Sequence, residues 1–521
     1  MRSTFHGIET AKRSLITQQA ALYTTGHNIA NANTAGFSRQ VVNMTASKPL
    51  EPYGMVRSNL PGQTGTGVEF TSITRVREKF LDDQFRNENK SFGSYNIQQD
   101  TLQKLEGIIN EPSDNGLRTV IAEFYNAWSD LSKAPENADG RKIVRENALT
   151  MTDAFNHIAA QLSDLHKDLT ENINIQAKDI NSKLQDISKL NAQIVRIEGL
   201  GDNANDLRDQ RDLLVDELSL MINLKVEDRS NGYHIEMGGV VLVSGLTDVT
   251  TVDGAMLEQA YVDGALTDGE VSGMIVSRDR YVQSYMDELD KLANTIANGD
   301  VQITLPKGSV IPEGTVLDGV TYTGSVADRT LSADLTATVK GLNGLHQLGY
   351  NFSSDSVGLP FFTNKDGSIA TVKAATMTLN QAIADNPTKI STSMRVIDNG
   401  GAEDVVRGNN SLAVLFSQAR DSRFNFGTAA DPNLNTIDAY YRSIAGELGV
   451  QSATAIRQLS NSKMLVDQVD SKRQSISGVS LDEEMSNMIK FQHAYNAAAR
   501  AMTVVDETLD KIINSMGLVG R

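Results

Sequence analysis

The sequence contains no cysteine, and this absence excludes several kinds of chemistry. There is no disulfide, no thiolate nucleophile and no metal site with sulfur ligands. The seven histidines are scattered, and no nucleophile elbow, zinc-hydrolase motif, Walker loop or dinucleotide fingerprint is present. We therefore predict no enzyme activity, no catalytic residue, no metal site and no cofactor. A pair of carboxylates in a cleft, as a glycan-cleaving enzyme needs, stays open as an alternative.

Basic residues are fewer than acidic ones, 48 against 65, which gives a formal net charge of −17. An acidic chain without a basic patch is disfavoured as a partner of nucleic acid or of an anionic membrane. Long apolar runs are also lacking. We therefore expect no membrane insertion and no cleaved secretory signal, because the N-terminus leads directly into a polar amphipathic helix.

Proline is rare, with ten residues in 521, and two stretches have none: between Pro135 and Pro306, and after Pro432. Both stretches are free to form long helices, because proline is the residue that most often breaks them. A chain of this length exceeds what one hydrophobic core usually supports. We predict a multidomain, mainly α protein with a β-rich or mixed α/β central insertion.

The stretch from Ser480 to Met516 is the strongest helix prediction. Ser480 and Glu483 have the spacing of a capping box, Asp482 and Glu484 add negative charge to the first turn, and Gly517 stands at the expected C-terminal cap. Apolar residues recur at spacings of three and four, as in the seam of a coiled coil. The predicted seam consists of Met488, Phe491, Tyr495, Ala498, Met502, Val505, Leu509, Ile512 and Met516.

A matching stripe lies at the other end of the chain, where Ile8, Leu15, Leu22 and Ile29 recur every seven residues. We predict that the N- and C-terminal helices pair in a coiled coil or helical bundle and that these stripes form an assembly interface. The entropy of ordering the C-terminal helix exceeds what its apolar stripe alone recovers. We therefore expect the terminal helices to be loose in the monomer and to become ordered on assembly. An ordinary coiled coil within one molecule is the alternative.

Between the ends, the periodicity predicts helices over about 75–110, 117–133, 141–198, 206–221, 271–298, 411–420 and 436–475. The acidic and arginine residues of 206–212 are interpreted as a solvated, ion-paired helix face. Period-two segments at 222–243 predict a small antiparallel sheet, and 301–323 predicts a β insertion. The predicted domains are 1–45 with 478–521, 46–221 with 405–477, and 222–404 with the β insertion near 300–325.

Two terminal motifs resemble those of the bacterial flagellar axial proteins, the family of rod, hook and hook-associated subunits. The first runs from Asn28 to Gln40, and the second from Ile476 to Glu484 with Phe491-Gln492-x-Ala494-Tyr495 after it. The segment 206–218 is similar to that of members at the hook–filament junction. The residues that match the family signature are Asn28, Asn31, Asn33, Thr34, Gly36, Gly478, Leu481, Asp482, Glu483 and Glu484. His27, Phe37 and Ser480 depart from it.

The resemblance implies a structural protein that forms a junction ring between hook and filament and is needed for filament assembly. It implies a ring of like subunits, contacts with the hook protein and with a second junction protein, and an export chaperone on the C-terminal helix. It also implies an extracellular location, reached by flagellar type III export without a cleaved signal. The alternatives are a hook or distal-rod subunit and, in another class, a peptidoglycan-cleaving flagellar enzyme.

Overall fold

The computed structural model describes residues 5–49, 65–109, 116–353, 357–400, 403–428 and 430–515. Its α-helices are α1 (His6–Ala30), α2 (Lys79–Ile109), α3 (Leu117–Lys133), α4 (Ala138–Glu198), α5 (Asn205–Met221), α6 (Gly254–Val262), α7 (Glu270–Val276), α8 (Gln283–Asn298), α9 (Gly341–Gln347), α10 (Gln381–Asp385), α11 (Ser411–Gln418), α12 (Ile437–Ser477) and α13 (Leu481–Asp510). The predicted mainly α fold class is confirmed.

The strands are short and lie mostly in the middle of the chain. They are β1 (Gln40–Ala46), β2 (Val68–Arg75), β3 (Lys225–Arg229), β4 (Gly232–Met237), β5 (Val240–Ser244), β6 (Asp248–Val249), β7 (Asp300–Leu305), β8 (Thr315–Leu317), β9 (Val320–Tyr322), β10 (Leu335–Lys340), β11 (Phe362–Asn364), β12 (Met377–Leu379), β13 (Val396–Asp398), β14 (Glu403–Val405), β15 (Phe424–Asn425) and β16 (Leu434–Asn435). All pairings between named strands are antiparallel.

The chain divides into two compact units. Unit 1 comprises residues 1–96, 173–273 and 459–521, and unit 2 comprises 97–172 and 274–458. The division within α4 falls where the hydrophobic repeat of that helix changes phase, next to Asn172. The division into three domains that the sequence predicts stays a prediction.

Unit 1 contains both chain ends. The terminal helices α1 and α13 pack along each other, and the β1–β2 hairpin packs on α1. Strands β3 to β6 form a four-stranded meander in sequence order, with a bulge between Ile235 and Glu236. Asn191 of α4 holds this sheet, because its side chain bonds the backbone of Tyr233 and the carbonyl of Gly245. The small antiparallel sheet predicted after residue 222 is thus present.

Unit 2 has an aromatic core built around the single tryptophan. Trp128 is fully buried and stacks on Phe416 with ring centroids 4.0 Å apart. Phe361 packs against both rings, and Phe124 reaches the same cluster. The predicted helical face of α4 also points into the core of this unit. Its buried residues are Ala148, Met151, Phe155, Ile158, Leu162, Leu165 and Leu169.

The helix expected over 271–298 is present, and it contains a π-helical turn from Ser277 to Val282 between α7 and α8. One prediction in unit 2 needs correction. The β segment near 301–323 is not a self-contained insertion. Its first strand, β7, lies between β10 and β15 in a four-stranded sheet, and only the β8–β9 hairpin stands apart from that sheet. Sequence periodicity detects strands but not these long-range pairings.

His346 supplies a pH-sensitive element in unit 2. Its ring is fully buried, with Nδ1 2.5 Å from the carbonyl oxygen of Leu359, and Nε2 accepts a hydrogen bond from the backbone N–H of Ser391 at 2.9 Å. Burial lowers the pKa of His346 to about 4, and the positive charge of Arg141 acts in the same direction. The folded protein therefore keeps this histidine neutral at pH values where the unfolded chain protonates it.

We predict that His346 costs stability as the pH falls from about 6.5 to about 4, because only the unfolded state gains a proton in that window. The loss at pH 5 amounts to about 2 kcal/mol. Denaturant unfolding of wild type and His346→Gln at pH 7 and pH 5 measures it. The difference in unfolding free energy between wild type and His346→Gln should shrink by that amount from pH 7 to pH 5. The difference between wild type and the exposed-site control His157→Gln should be the same at both pH values. A gap independent of pH would contradict the prediction.

Candidate assembly interface

Most of the fully buried residues on the two terminal helices are small or polar, and two of those on α13, Ala498 and Leu509, belong to the predicted seam. On α1 the buried residues are Ala11, Thr17, Ala21, Thr24, Thr25 and Asn28, and on α13 they are Glu484, Ala498 and Leu509. The helices approach closely at Gly7, where an added Cβ would lie 3.1 Å from Cγ2 of Val505. Both helices are formed and paired in the single chain. The expectation that they are loose in the isolated monomer stays a prediction.

The predicted seam lies on this helix pair, but one chain covers it incompletely. Most of its members are half-buried: Ile8, Leu15, Leu22, Ile29, Met488, Phe491, Tyr495, Met502 and Val505. Leu509 is buried, whereas Ile512, in the π-helical turn Lys511–Ser515, is 48% exposed. Met516 and Gly517 lie outside the described residues. Apolar surface therefore remains accessible along the whole pair.

A second apolar stripe, which we call the outer stripe, faces away from the pairing. On α1 it consists of Phe5, just before the helix, with Ile16 and Tyr23, and on α13 it consists of Leu481, Met485, Ile489 and Val504. Each of these side chains is between 48% and 70% exposed. Their spacings place them on the solvent side of the two helices. The sequence does not predict this stripe, because its residues lie outside the strongest apolar repeat of each helix.

The acidic residues that begin α13 bind the N-terminal segment instead of capping their own helix. The side chain of Ser480 makes no cap hydrogen bond, so the predicted capping box is wrong. Glu484 is buried and accepts hydrogen bonds from Arg39 Nε at 2.8 Å and from Asn28 Nδ2 at 3.1 Å. Glu483 accepts one from Arg39 Nη2 at 2.9 Å. We call these four residues the terminal latch.

The other residues of the family signature have local roles. Asn31 and Thr34 hydrogen-bond within the turn that follows α1, while Asn33 is exposed. Gly36 has a φ of +75° and lies against Leu213, whose Cβ would be 3.0 Å from an added Cβ. A side chain there would meet both backbone strain and a steric clash.

Gly478 is constrained in a similar way, because a Cβ there would lie 2.4 Å from the carbonyl oxygen of Gln474. The remaining two members of the signature, Leu481 and Asp482, are exposed at the start of α13.

Below the latch, Asp209, Arg211 and Asp212 of α5 are buried, so the interpretation of 206–212 as a solvated helix face is wrong for these three residues. Asp206, at the start of the same segment, is exposed. Asp209, Asp212 and Asp216 follow one another at spacings of three and four and face the interior of unit 1. Arg75 donates to Asp209 at 2.6 Å and to Asp212 at 2.9 Å. The backbone N–H of Ser38, next to the latch residue Arg39, donates to Asp209 at 2.9 Å.

The other half of this charge cluster comes from α2, the segment before it and α12. Arg86 donates to Asp216 at 2.8 Å, and Arg473 donates to the second oxygen of the same carboxylate at 2.5 Å. Arg77 forms two hydrogen bonds with Asp82, at 2.7 and 3.0 Å. We call the eight residues the charge cluster: Arg75, Arg77, Arg86, Arg473, Asp82, Asp209, Asp212 and Asp216.

The charges of the cluster balance, four positive against four negative, and this balance makes burial tolerable. Burial by itself would raise the pKa of Asp212, but Arg77, Arg75 and Arg86 hold it well below its usual range. Burial dominates at Asp209 and raises its pKa despite Arg75. Desolvation opposes the charge of Arg77, yet Asp212, Asp82 and Asp216 raise its pKa above the ordinary value.

His27, the departure from the family signature, also contacts α5. Its Nε2 lies 3.2 Å from a carboxylate oxygen of Asp206, which also accepts a hydrogen bond from Gln40 at 2.7 Å. Its ring meets that of Phe37 edge to face, with centroids 5.4 Å apart. These contacts join the end of α1 to the start of α5.

Within the described residues, no group of three or more His, Asp or Glu side chains could hold a metal ion. Among the helices of that part of the chain, none combines the length and apolar character that crossing a bilayer requires. The arrangement is suited to contacts with other protein surfaces. It is a pair of helices with two partly exposed apolar stripes, and the terminal latch and the charge cluster connect it to the rest of unit 1.

Family models match both ends and the helical interior. The model described as "Flagella basal body rod protein" matches residues 8–37, and that described as "Flagellar basal body rod FlgEFG protein C-terminal" matches 471–516. The model "Flagellar hook-associated protein FlgK helical domain" matches residues 102–299. The paired ends and these matches define the class, a structural protein of the bacterial flagellum.

Full-length relatives make the assignment specific. The chain is 34% identical to "Flagellar hook-associated protein 1" of Bacillus subtilis, over 100% of both chains. It is 26% identical to the protein of the same name from Escherichia coli, over 97% of this chain and 99% of that one. The chain belongs to the flagellar hook-associated protein 1 family.

A solved structure agrees at the level of the fold. "The structure of the flagellar hook junction protein FlgK from Burkholderia pseudomallei" matches with a TM-score of 0.52 and 13% identity, covering 76% of this chain and 100% of that one. The family and the structural flagellar role predicted from the two terminal motifs are confirmed.

We predict that Asp212→Asn destabilises unit 1 by about 3–5 kcal/mol, because it leaves buried arginines without a compensating charge. Glu217→Gln is the matched control on the same helix. It removes only a partly exposed ion pair with Lys183, for which a change below about 1 kcal/mol is expected. Denaturant unfolding monitored by a probe in unit 1 measures both. Equal effects of the two substitutions would contradict a structural role of the cluster.

Proposed function

We propose that this chain is the subunit of a ring at the junction between hook and filament, and that the ring is needed for filament assembly. The observation that carries the proposal is the incomplete cover of the terminal helix pair. An apolar stripe left half-exposed on a well-ordered element is typical of a surface that another subunit covers. The names of the full-length relatives, as hook-associated proteins, support the same position in the flagellum.

Burial of the outer stripe supplies the driving force for assembly. Complete burial of one large apolar side chain stabilises a complex by about 1.5–3 kcal/mol. The seven residues of that stripe are roughly half-exposed, so covering what remains contributes roughly 5–10 kcal/mol per subunit before the entropic cost of association. This is enough to favour a ring once several subunits are held at the hook.

The proposed partners are like subunits, the hook protein on one side of the ring and a second junction protein on the other. Before assembly, an export chaperone covers α13, whose exposed stripe would otherwise associate prematurely. The proposed location is extracellular, after export without a cleaved signal. The proposed role is mechanical and requires no catalysis, no cofactor, no nucleic acid and no insertion into a membrane.

The alternatives have less support. A hook or distal-rod subunit would share the two terminal models, but similarity over the full length and the match at 102–299 favour the hook-associated family. No observation favours a peptidoglycan-cleaving enzyme. Incubation with cell-wall glycan, with soluble products as the readout, tests that alternative, and it should yield none.

We predict that Ile489→Asp abolishes assembly while the monomer stays folded, because a charge on the outer stripe cannot be buried between subunits. Substitutions to Asp at Leu15, Leu22, Met502 and Leu509 should also abolish it, but Leu509 is already buried in the monomer and its replacement disturbs the helix pair as well. Ile489 is 56% exposed and avoids this complication.

Ile397→Asp is the control for this experiment, since Ile397 is equally apolar and 61% exposed but lies in unit 2. Motility and filament number in cells lacking their own junction protein are the readouts, with circular dichroism of the purified monomer as the folding check. Normal filaments with Ile489→Asp would overturn the proposed use of the outer stripe.

A further inference from the structure

The turn between α4 and α5 carries an isolated apolar side chain. Leu200 is 84% exposed, the highest value among the exposed large hydrophobic residues of the described chain. It lies on an ordered turn, because its backbone N–H bonds the carbonyl of Ile197 and the N–H of Gly201 bonds that of Glu198, each at 3.0 Å. Gly201, at a φ of +100°, closes the helix in a left-handed conformation.

An ion pair fixes the base of this turn. Arg208 donates to both carboxylate oxygens of Glu198, at 2.5 and 2.7 Å, and these hydrogen bonds lower the pKa of Glu198 despite its partial burial. The side chain of Leu200 is therefore presented by a backbone held on both sides. We call this side chain the knob. Because its backbone is already fixed, it loses little conformational entropy when a partner buries it.

The same unit contains a cavity of about 250 Å³ beside the turn that follows α1. Four hydrophobic side chains line it, Phe37, Phe85, Leu213 and Leu220, and each is only partly buried. The volume lies below the roughly 300–1,000 Å³ of small-molecule pockets, and is of a size for one or two side chains.

The charged residues at the cavity are already satisfied. Asp216 accepts from Arg86 and from Arg473, and the guanidinium of Arg473 lies 4.0 Å from the ring centroid of Phe85. A polar ligand would have to compete with these contacts. An aliphatic side chain needs none of them, and it would cover the half-exposed hydrophobic lining.

The Leu200 of a given chain cannot fill its own cavity. The turn precedes α5, whereas the cavity residues of α5 lie between Leu213 and Leu220, eight to fifteen residues into the helix. At about 1.5 Å per residue, this separates knob and cavity by roughly 12–22 Å along the helix axis.

We propose that Leu200 of one copy inserts into this cavity of a neighbouring copy, in a head-to-tail contact between subunits. The inference rests on the proposed ring. A contact that joins two different surfaces of the same chain is heterologous, and successive contacts of this kind close into a ring when the rotation between subunits permits. The apolar stripes of the terminal helices hold subunits together without fixing their relative position. The contact between Leu200 and the cavity would fix the position of each subunit relative to its neighbour in the ring.

The absence of cysteine allows a direct test by disulfide cross-linking. Leu200→Cys is combined in one chain with Glu217→Cys, which lies at the cavity and is exposed. The control chain combines Leu200→Cys with Val262→Cys, a site that is 77% exposed in the same unit but remote in sequence from the cavity. Each chain, and the wild type, is expressed in cells whose own junction protein is deleted, and thiol oxidant is added to isolated flagella.

The inference predicts a ladder of cross-linked multimers from the Leu200/Glu217 chain, at least tenfold more abundant than from the control. Chains with Leu200→Cys alone should give no dimers, because a heterologous contact does not bring two Leu200 residues together. Three results would each overturn this inference but not the proposed function. They are dimers of that single variant, cross-links to a different protein, and motile cells without a ladder. Failure of the wild-type chain to restore motility would overturn the proposed function, and this inference with it.

A second measurement does not depend on cysteine. Leu200→Asp should weaken self-association of the purified full chain by about tenfold or more in sedimentation experiments, since one buried leucine supplies at least that factor. Val262→Asp is the matched control and should have no effect. Equal association of the two variants would also overturn the inference.

Discussion

The organisation of unit 1 depends on four arginines and four aspartates that share one buried region. They come from the end of β2 and the segment after it, from α2, from α5 and from the end of α12. Removing ions from water is costly, and their mutual attraction offsets this cost only when partners are complete and well placed. The cluster therefore favours one relative arrangement of these segments over others that would leave a charge unpaired.

Both terminal helices are connected to this region. Ser38 donates to Asp209 of the cluster, while the adjacent Arg39 binds Glu483 and Glu484 at the start of α13. The terminal helices are thereby placed by charge and hydrogen bonds, and most of the larger apolar side chains on them are only partly buried. The apolar surface of α1 and α13 that is not buried in the monomer is therefore available for contacts between subunits.

The sequence predicted helices and strands well where hydrophobic periodicity and the positions of proline and glycine determine them. The helix over 117–133 has the predicted limits, and the apolar repeat of α4 identified its buried face. The two terminal motifs led to the family. The short helix α6, with Asp253 as its N-cap, was missed because nine residues are too few for a clear repeat.

The charge cluster could not be predicted, since its arginines are contributed by segments that only the fold brings together. One signal was present: Asp209, Asp212 and Asp216 recur at the spacing of a buried stripe, which is unusual for a solvated face. The capping box at Ser480 failed for the same reason. Glu483 had the correct spacing, but a distant arginine competed for its carboxylate. Local rules do not include such partners.

We infer that the terminal latch, and not the apolar stripe, holds the helix pair in the monomer. Amide hydrogen exchange of the purified full chain tests this by comparing Glu484→Gln with its neighbour Glu483→Gln, since both contact Arg39 but only Glu484 is buried. We predict at least tenfold faster exchange in the first turns of α13 and the last turns of α1 for Glu484→Gln alone, with α3 unchanged. Equal protection of the two variants would contradict it.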